Sequence, residues 1–126
     1  MLAVGVDLVE ISRVERALQR YGERFLRRVY TERELAYAKG RVAALATRWA
    51  AKEAAAKAFG TGIGIIRLKE IEILCDDQGK PELYLHGRAA QLAAQHQWGR
   101  FAVSLSHARD YAIAFVVMQR GSSAGC

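Results

Sequence analysis

The sequence predicts an α+β fold. Three observations carry that prediction: apolar, strand-like runs near both ends of the chain, helical periodicity over most of residues 11–59, and a strong turn at residues 76–81 between two short strand patterns. Residues 2–9 read as a buried strand, with Leu2, Ala3, Val4, Val6, Leu8 and Val9 around Gly5 and Asp7. Residues 11–21 read as an amphipathic helix, because Ile11, Val14, Leu18 and Tyr21 recur at helical spacing, and Gly22 ends it. Residues 24–29 form a short second helix. Thr31 and Glu34 make a T-x-x-E capping box, so a third helix starts there, and Gly40 ends or interrupts it. The longest helix spans residues 42–59.

Residues 68–75 read as a strand in which Ile71 and Ile73 alternate with Glu70 and Glu72. The Asp76-Asp77-Gln78-Gly79-Lys80-Pro81 turn leads into a strand at 82–86, so the pair forms a hairpin. A helix at 88–97 and strands at 101–106 and 111–118 complete the chain. Residues 1–120 are expected to make one domain and residues 121–126 a loose tail. The strand order stays open.

The chain has 126 residues, 52% hydrophobic and 25% charged, as a globular domain with a real core requires. No apolar run approaches the roughly 20 residues that span a bilayer. The opening residues lack the basic segment and long apolar stretch of a secretory signal, and Cys75 and Cys126 form neither a metal-ligand pattern nor a disulfide framework. The expectation is a cytoplasmic protein. Its net charge of +6 favours an acidic partner without choosing among nucleic acid, membrane, polyphosphate and protein.

The chemistry concentrates between Ala50 and Gly64. Glu53 and Lys57 stand four residues apart, on one face of an alanine-rich helix, and Gly60, Gly62 and Gly64 then break the helix. A carboxylate, an ammonium and a bare-backbone loop suit a metal-bound phosphate compound. A surface ion pair followed by an ordinary helix stop explains the same residues. The loop matches neither G-x-x-x-x-G-K-[ST] nor G-x-G-x-x-G. It also follows its helix, so it faces the negative end of the dipole, and a phosphate there needs Lys, Arg or a metal.

Asp7 is a carboxylate in an otherwise apolar strand, a costly place for an unpaired charge. Either it marks a solvated strand end, or it converges with Glu53 to suit Mg²⁺, with Glu10 a weaker third ligand. Arg13, Arg16 and Arg20 share a helix face, and Arg24, Arg27 and Arg28 follow, balanced by Glu15 and Glu23 alone. That one-signed excess favours a docking surface over a merely solvated face. At Ser104-Leu105-Ser106-His107, alternation puts the serines on one strand face and His107 on the other, which argues against a nucleophile–base pair. His107 is a phosphate donor or a turn histidine, while His86 and His96 read as structural or exposed.

Together and in this order, these pieces resemble the holo-acyl-carrier-protein synthases, small bacterial 4′-phosphopantetheinyl transferases. The matching segments are Gly5 to Ile11, Arg48 to Ile63, Gly79-Lys80-Pro81, Ser104 to His107 and Tyr111-Ala112. Trp49 replaces the usual phenylalanine, and residues 38–47 and those after Arg120 match poorly. The resemblance implies an antiparallel sheet packed with one long helix and several shorter ones. It implies transfer of phosphopantetheine from coenzyme A to a serine of apo acyl carrier protein, with release of 3′,5′-ADP, in support of fatty acid biosynthesis. On that pattern Asp7 and Glu53 hold Mg²⁺, and Lys57 stabilises developing phosphate charge. Arg48, Lys57, Gly60, Thr61, Gly62, Pro81 and His107 bind coenzyme A. Glu53, directly or through a metal-bound water, is the general base. Arg13, Arg20 and Arg24 dock the acidic carrier protein. The family further implies a homotrimer with sites between subunits.

Two other readings compete. A small nucleic-acid-binding protein would explain the charge, but the chain has no recognised binding motif and its aromatics do not cluster among the basic residues. A non-catalytic coenzyme A-binding or carrier-binding module would explain the resemblance, but it would not need Asp7, Glu53 and Lys57 together. The expected partners are therefore coenzyme A and the carrier protein, with no nucleic acid and no membrane.

Overall fold

A computed structural model describes residues 1–60 and 65–121. Strand β1 (Leu2–Glu10) leads into helices α1 (Ile11–Tyr21), α2 (Glu23–Val29), α3 (Glu32–Ala38) and α4 (Val42–Phe59). The hairpin β2 (Ile71–Cys75) and β3 (Pro81–Leu85), helix α5 (Gly87–Gln95), and strands β4 (Trp98–His107) and β5 (Tyr111–Arg120) follow. Residues 61–64, which include Thr61 and Gly62, and residues 122–126 lie outside the described residues.

The helix boundaries follow local chemistry. Gly22 ends α1 at φ 55°, and its N–H donates to the Leu18 carbonyl. The Thr31 capping box forms as expected: the Glu34 N–H donates to Thr31 Oγ1, and the Thr31 N–H donates to Glu34 Oε1. Gly60 ends α4 in the left-handed region at φ 80°.

The main sheet is antiparallel, in the order β1-β5-β4, and β2-β3 is a separate hairpin. Pairing places Gly5, Val116 and Val103 in one row across the sheet, and Asp7, Ala114 and Leu105 in another. These rows face α4. The intervening rows, Val6-Phe115-Ser104 and Leu8-Ile113-Ser106, face away.

Alternation therefore corrects the reading of residues 2–9 as a buried strand. Leu2, Val4, Val6 and Leu8 are 49–62% exposed, and only Gly5 and Val9 are buried. The expected split of Ser104 and Ser106 from Leu105 and His107 holds.

Helix α4 is buried on nearly every side, chiefly through Leu45 and the alanines at 46, 50, 51, 54, 55, 56 and 58. It fills the concave space between the sheet, the hairpin and the shorter helices. Small side chains let it approach the sheet closely, most of all at Gly5.

The strand expected over 68–75 is shorter. Leu68–Glu70 form a 3₁₀ turn, and pairing begins at Ile71. Two polar demands bend the chain there. Lys52 Nζ donates to the carbonyls of Leu68 and Ile71, and the Glu70 carboxylate accepts the N–H groups of Arg67 and Arg88.

Glu72, which alternates with Ile71 and Ile73, is also buried, and accepts from Thr31 Oγ1 (2.6 Å), Arg33 Nη2 (2.9 Å) and Nε (3.4 Å). His86 Nε2 lies 2.9 Å from it. Burial works against ionisation of Glu72, but the hydrogen bonds from Arg33, Thr31 and His86 outweigh it and hold the carboxyl down at about 2.

Candidate active site

Asp7 enters the site because β1 pairs so that its odd residues face α4. Glu53 and Lys57 reach the same place from one face of that helix. Lys57 Nζ lies 3.1 Å from Asp7 Oδ1 and donates to the Val6 carbonyl at 3.1 Å. Glu53 is half-buried. Burial pushes its carboxyl up, the Asp7 charge adds to that, and Lys57 and Arg13 pull against it.

Two carboxylates that repel each other in a half-buried site fit a divalent cation with oxygen preference, one that keeps water and takes substrate oxygens for its remaining positions. Glu10 does not supply a third ligand: among the described residues no three His, Cys, Asp or Glu side chains gather into one group.

A second cluster forms on another side of α4. Arg48 and Glu53 are five residues apart, or about 140° around a 3.6-residue helix. The 5%-exposed Arg48 reaches Thr47 Oγ1 (3.1 Å) and Cys75 Sγ (3.3 Å), and its Nε has no partner among the described residues. It borders a hollow of about 320 Å³, which Tyr37, Arg41, Thr47 and His107 also line. The guanidinium carbons of Arg48 and Arg41 lie 4.5 and 5.1 Å from the Tyr37 ring centroid. Two guanidiniums, a histidine and a buried unsatisfied N–H make this an anion site in chemical character. Pro81 pairs with Cys75 across the hairpin, which puts it beside this cluster.

Arg13, Arg20 and Arg24 are exposed on α1 and α2, as are Arg16, Arg27 and Arg28. Arg27 pairs with Glu23 at 3.3 Å, and Arg16 and Arg20 border a shallow open hollow. Gly60 caps the helix that carries Lys57.

A family model described as the 4′-phosphopantetheinyl transferase superfamily matches residues 3–116. The chain belongs to that superfamily. A holo-[acyl-carrier-protein] synthase of Herpetosiphon aurantiacus is 52% identical over 124 residues, covering 93% of this chain and 98% of its own. The Helicobacter pylori holo-[acyl-carrier-protein] synthase in complex with coenzyme A superimposes with TM-score 0.85 at 29% identity, over 92% of this chain and 99% of that one. The Chronobacterium ammoniagenes ACPS–CoA complex gives TM-score 0.85 at 34% identity, over 97% and 99%. The chain is thus an enzyme, a transferase of the holo-[acyl-carrier-protein] synthase kind.

Tyr37, Arg41 and Thr47 of this transferase line the anion hollow, yet sequence reasoning did not select them. Tyr37 and Arg41 are spaced i, i+4 across a helix end, a faint signal. Only the fold folds that corner back over Arg48.

Proposed function

We propose that this transferase moves 4′-phosphopantetheine from coenzyme A to a serine of apo acyl carrier protein, releasing 3′,5′-ADP, and so supports fatty acid biosynthesis in the cytoplasm. The observation that carries the reading is the convergence of Asp7, Glu53 and Lys57 from two distant parts of the chain. Asp7 and Glu53 would hold Mg²⁺, which when bound draws charge from the pyrophosphate oxygens.

The remaining work falls to side chains. Lys57 neutralises charge that grows on the phosphate in the transition state. Glu53 accepts the serine proton. Arg48 and His107 receive phosphate oxygens of coenzyme A, an assignment supported by their shared place on the wall of the hollow. Gly60, Thr61 and Gly62 lie along the nucleotide, with Pro81 on its adenine side. Arg13, Arg20 and Arg24 meet the acidic carrier, so docking should be fast and salt-sensitive.

The functional unit is a homotrimer with each site between subunits. One support is the outer sheet face, where Leu2, Val4, Val6, Leu8, Ile113 and Phe115 leave a contiguous apolar surface exposed. Another is that none of Asp7, Glu53 and Lys57 lines the hollow beside Arg48, as a site shared between neighbours requires.

Release of 3′,5′-ADP from coenzyme A, followed chromatographically with apo carrier protein and Mg²⁺, tests the reading. Release that Glu53→Gln abolishes supports it, whereas equal release by both proteins refutes the assigned site.

A further inference from the structure

The buried Lys52–Glu34 pair has no part in the chemistry above. Lys52 Nζ is wholly buried and lies 2.7 Å from Glu34 Oε1. It also donates to the carbonyls of Leu68 (3.1 Å) and Ile71. Glu34 in turn accepts the Thr31 N–H at 2.9 Å through Oε1 and the Ile73 N–H at 2.8 Å through Oε2. One ion pair thus ties α3, α4, the 3₁₀ turn and β2 together.

Its surroundings explain why such a costly device is placed here. On α4, the neighbours Ala50, Ala51, Ala54, Ala55, Ala56 and Ala58 are all buried. A helix surfaced with methyl groups presents shallow ridges, and ridges set rotation and register when helices pack. An alanine helix can turn or slide at little cost in buried area. Glu53 and Lys57 need it to do neither, since both must face Asp7. Lys52 immediately precedes Glu53 in the chain, so anchoring its ammonium at three points fixes the direction in which Glu53 points. A buried ion pair is weak evidence for stability, and register is its best-attested use.

We propose that Lys52 and Glu34 are positioning residues that set the rotation of α4, and through it the convergence of Glu53 and Lys57 on Asp7. This rests on the reading of Asp7 and Glu53 as metal ligands. A carboxylate displaced by about 1 Å commonly costs about 10²-fold in rate, so the effect should be large.

The test compares the parent enzyme, Asp7→Asn and the double variant Lys52→Met/Glu34→Gln, which removes both charges at similar volume. Each is titrated with Mn²⁺ in the presence of coenzyme A by electron paramagnetic resonance of the free ion, and melted to verify folding. The expected result is a cooperatively folded double variant with coenzyme A affinity within about threefold of the parent. Its Mn²⁺ affinity should fall at least about 10-fold and its kcat about 10²-fold, with KM for the carrier little changed.

Unchanged Mn²⁺ affinity and kcat in the folded double variant overturn the positioning role. A parent that binds Mn²⁺ no better than Asp7→Asn overturns the metal reading and the proposal with it. If the double variant does not fold, Glu34→Gln alone, in which Lys52 keeps its two carbonyl acceptors and no buried carboxylate is left unpaired, is put through the same titration and judged by the same two outcomes.

Discussion

A Cβ on Gly5 would overlap the backbone oxygen of Ala54, so strand β1 and helix α4 touch backbone to backbone. That contact sits two residues before Asp7 and one after Glu53. The spacing of the two carboxylates is therefore set by a glycine with no chemistry of its own.

Gly5→Ala should separate the strand from the helix, because neither backbone can swing aside as a side chain can. Overpacking of this kind costs about 3 kcal/mol or more. Urea denaturation should show the loss as a lower midpoint, and transferase activity should fall further than the residual folded fraction explains.

Asp7→Asn and Glu53→Gln should each lower kcat/KM by about 10²-fold or more, through lost charge stabilisation in the transition state. The Asp7–Lys57 pair is more than half exposed on the lysine side. Asp7→Asn should therefore shift stability by no more than about 1 kcal/mol. Steady-state kinetics beside a thermal melt separates the two effects.

Arg48→Met should weaken coenzyme A binding by about 10- to 100-fold, since charge-assisted hydrogen bonds are worth roughly 1.5–3 kcal/mol. Calorimetric titration measures this directly. Tyr37→Ala should weaken binding less, by loosening the stack that holds Arg41 and Arg48.

Glu72 makes a pH prediction. Its folded carboxyl sits at about 2, against an ordinary value of 4.5. A depressed acid stabilises the fold above the unfolded value, and that contribution drains away as pH falls from 4.5 towards 2. Glu72→Gln should therefore lower Tm at pH 6 and flatten its decline between pH 5 and pH 3. A decline as steep as the parent's would assign the acid limb to other groups.

Phe115→Glu places a charge in the middle of the exposed apolar sheet face. Light scattering should show a trimer for the parent and a monomer for the variant, and activity should fall although no proposed catalytic residue has changed. A variant of unchanged mass and activity would remove this face from the assembly.

Much of this was legible in the sequence, where local rules decide the structure. The capping box at Thr31, the stops at Gly22 and Gly60, and the turn at 76–80 each act over a few residues. Helices α1 and α4 accordingly begin and end where periodicity predicts. Asp7, Glu53 and Lys57 stood out because a charge in an apolar strand and an i, i+4 pair before glycines are unusual in one dimension.

The remainder depends on contacts that sequence does not order. Val4, Val6 and Leu8 look like core residues until pairing with β5 shows that they share an outer face. Glu72 looks like the polar side of a strand until Thr31, Arg33 and His86 close over it. Tyr37 and Arg41 join Arg48 only because the corner between α3 and α4 folds back.

The most direct test of the central claim is intact-mass spectrometry of apo acyl carrier protein incubated with this enzyme, coenzyme A and Mg²⁺, with a matched EDTA sample. The expected result is the gain of one phosphopantetheine on the carrier, absent with EDTA and absent with Glu53→Gln. A folded preparation that binds coenzyme A but leaves the carrier mass unchanged, or modifies it equally in EDTA, would contradict it.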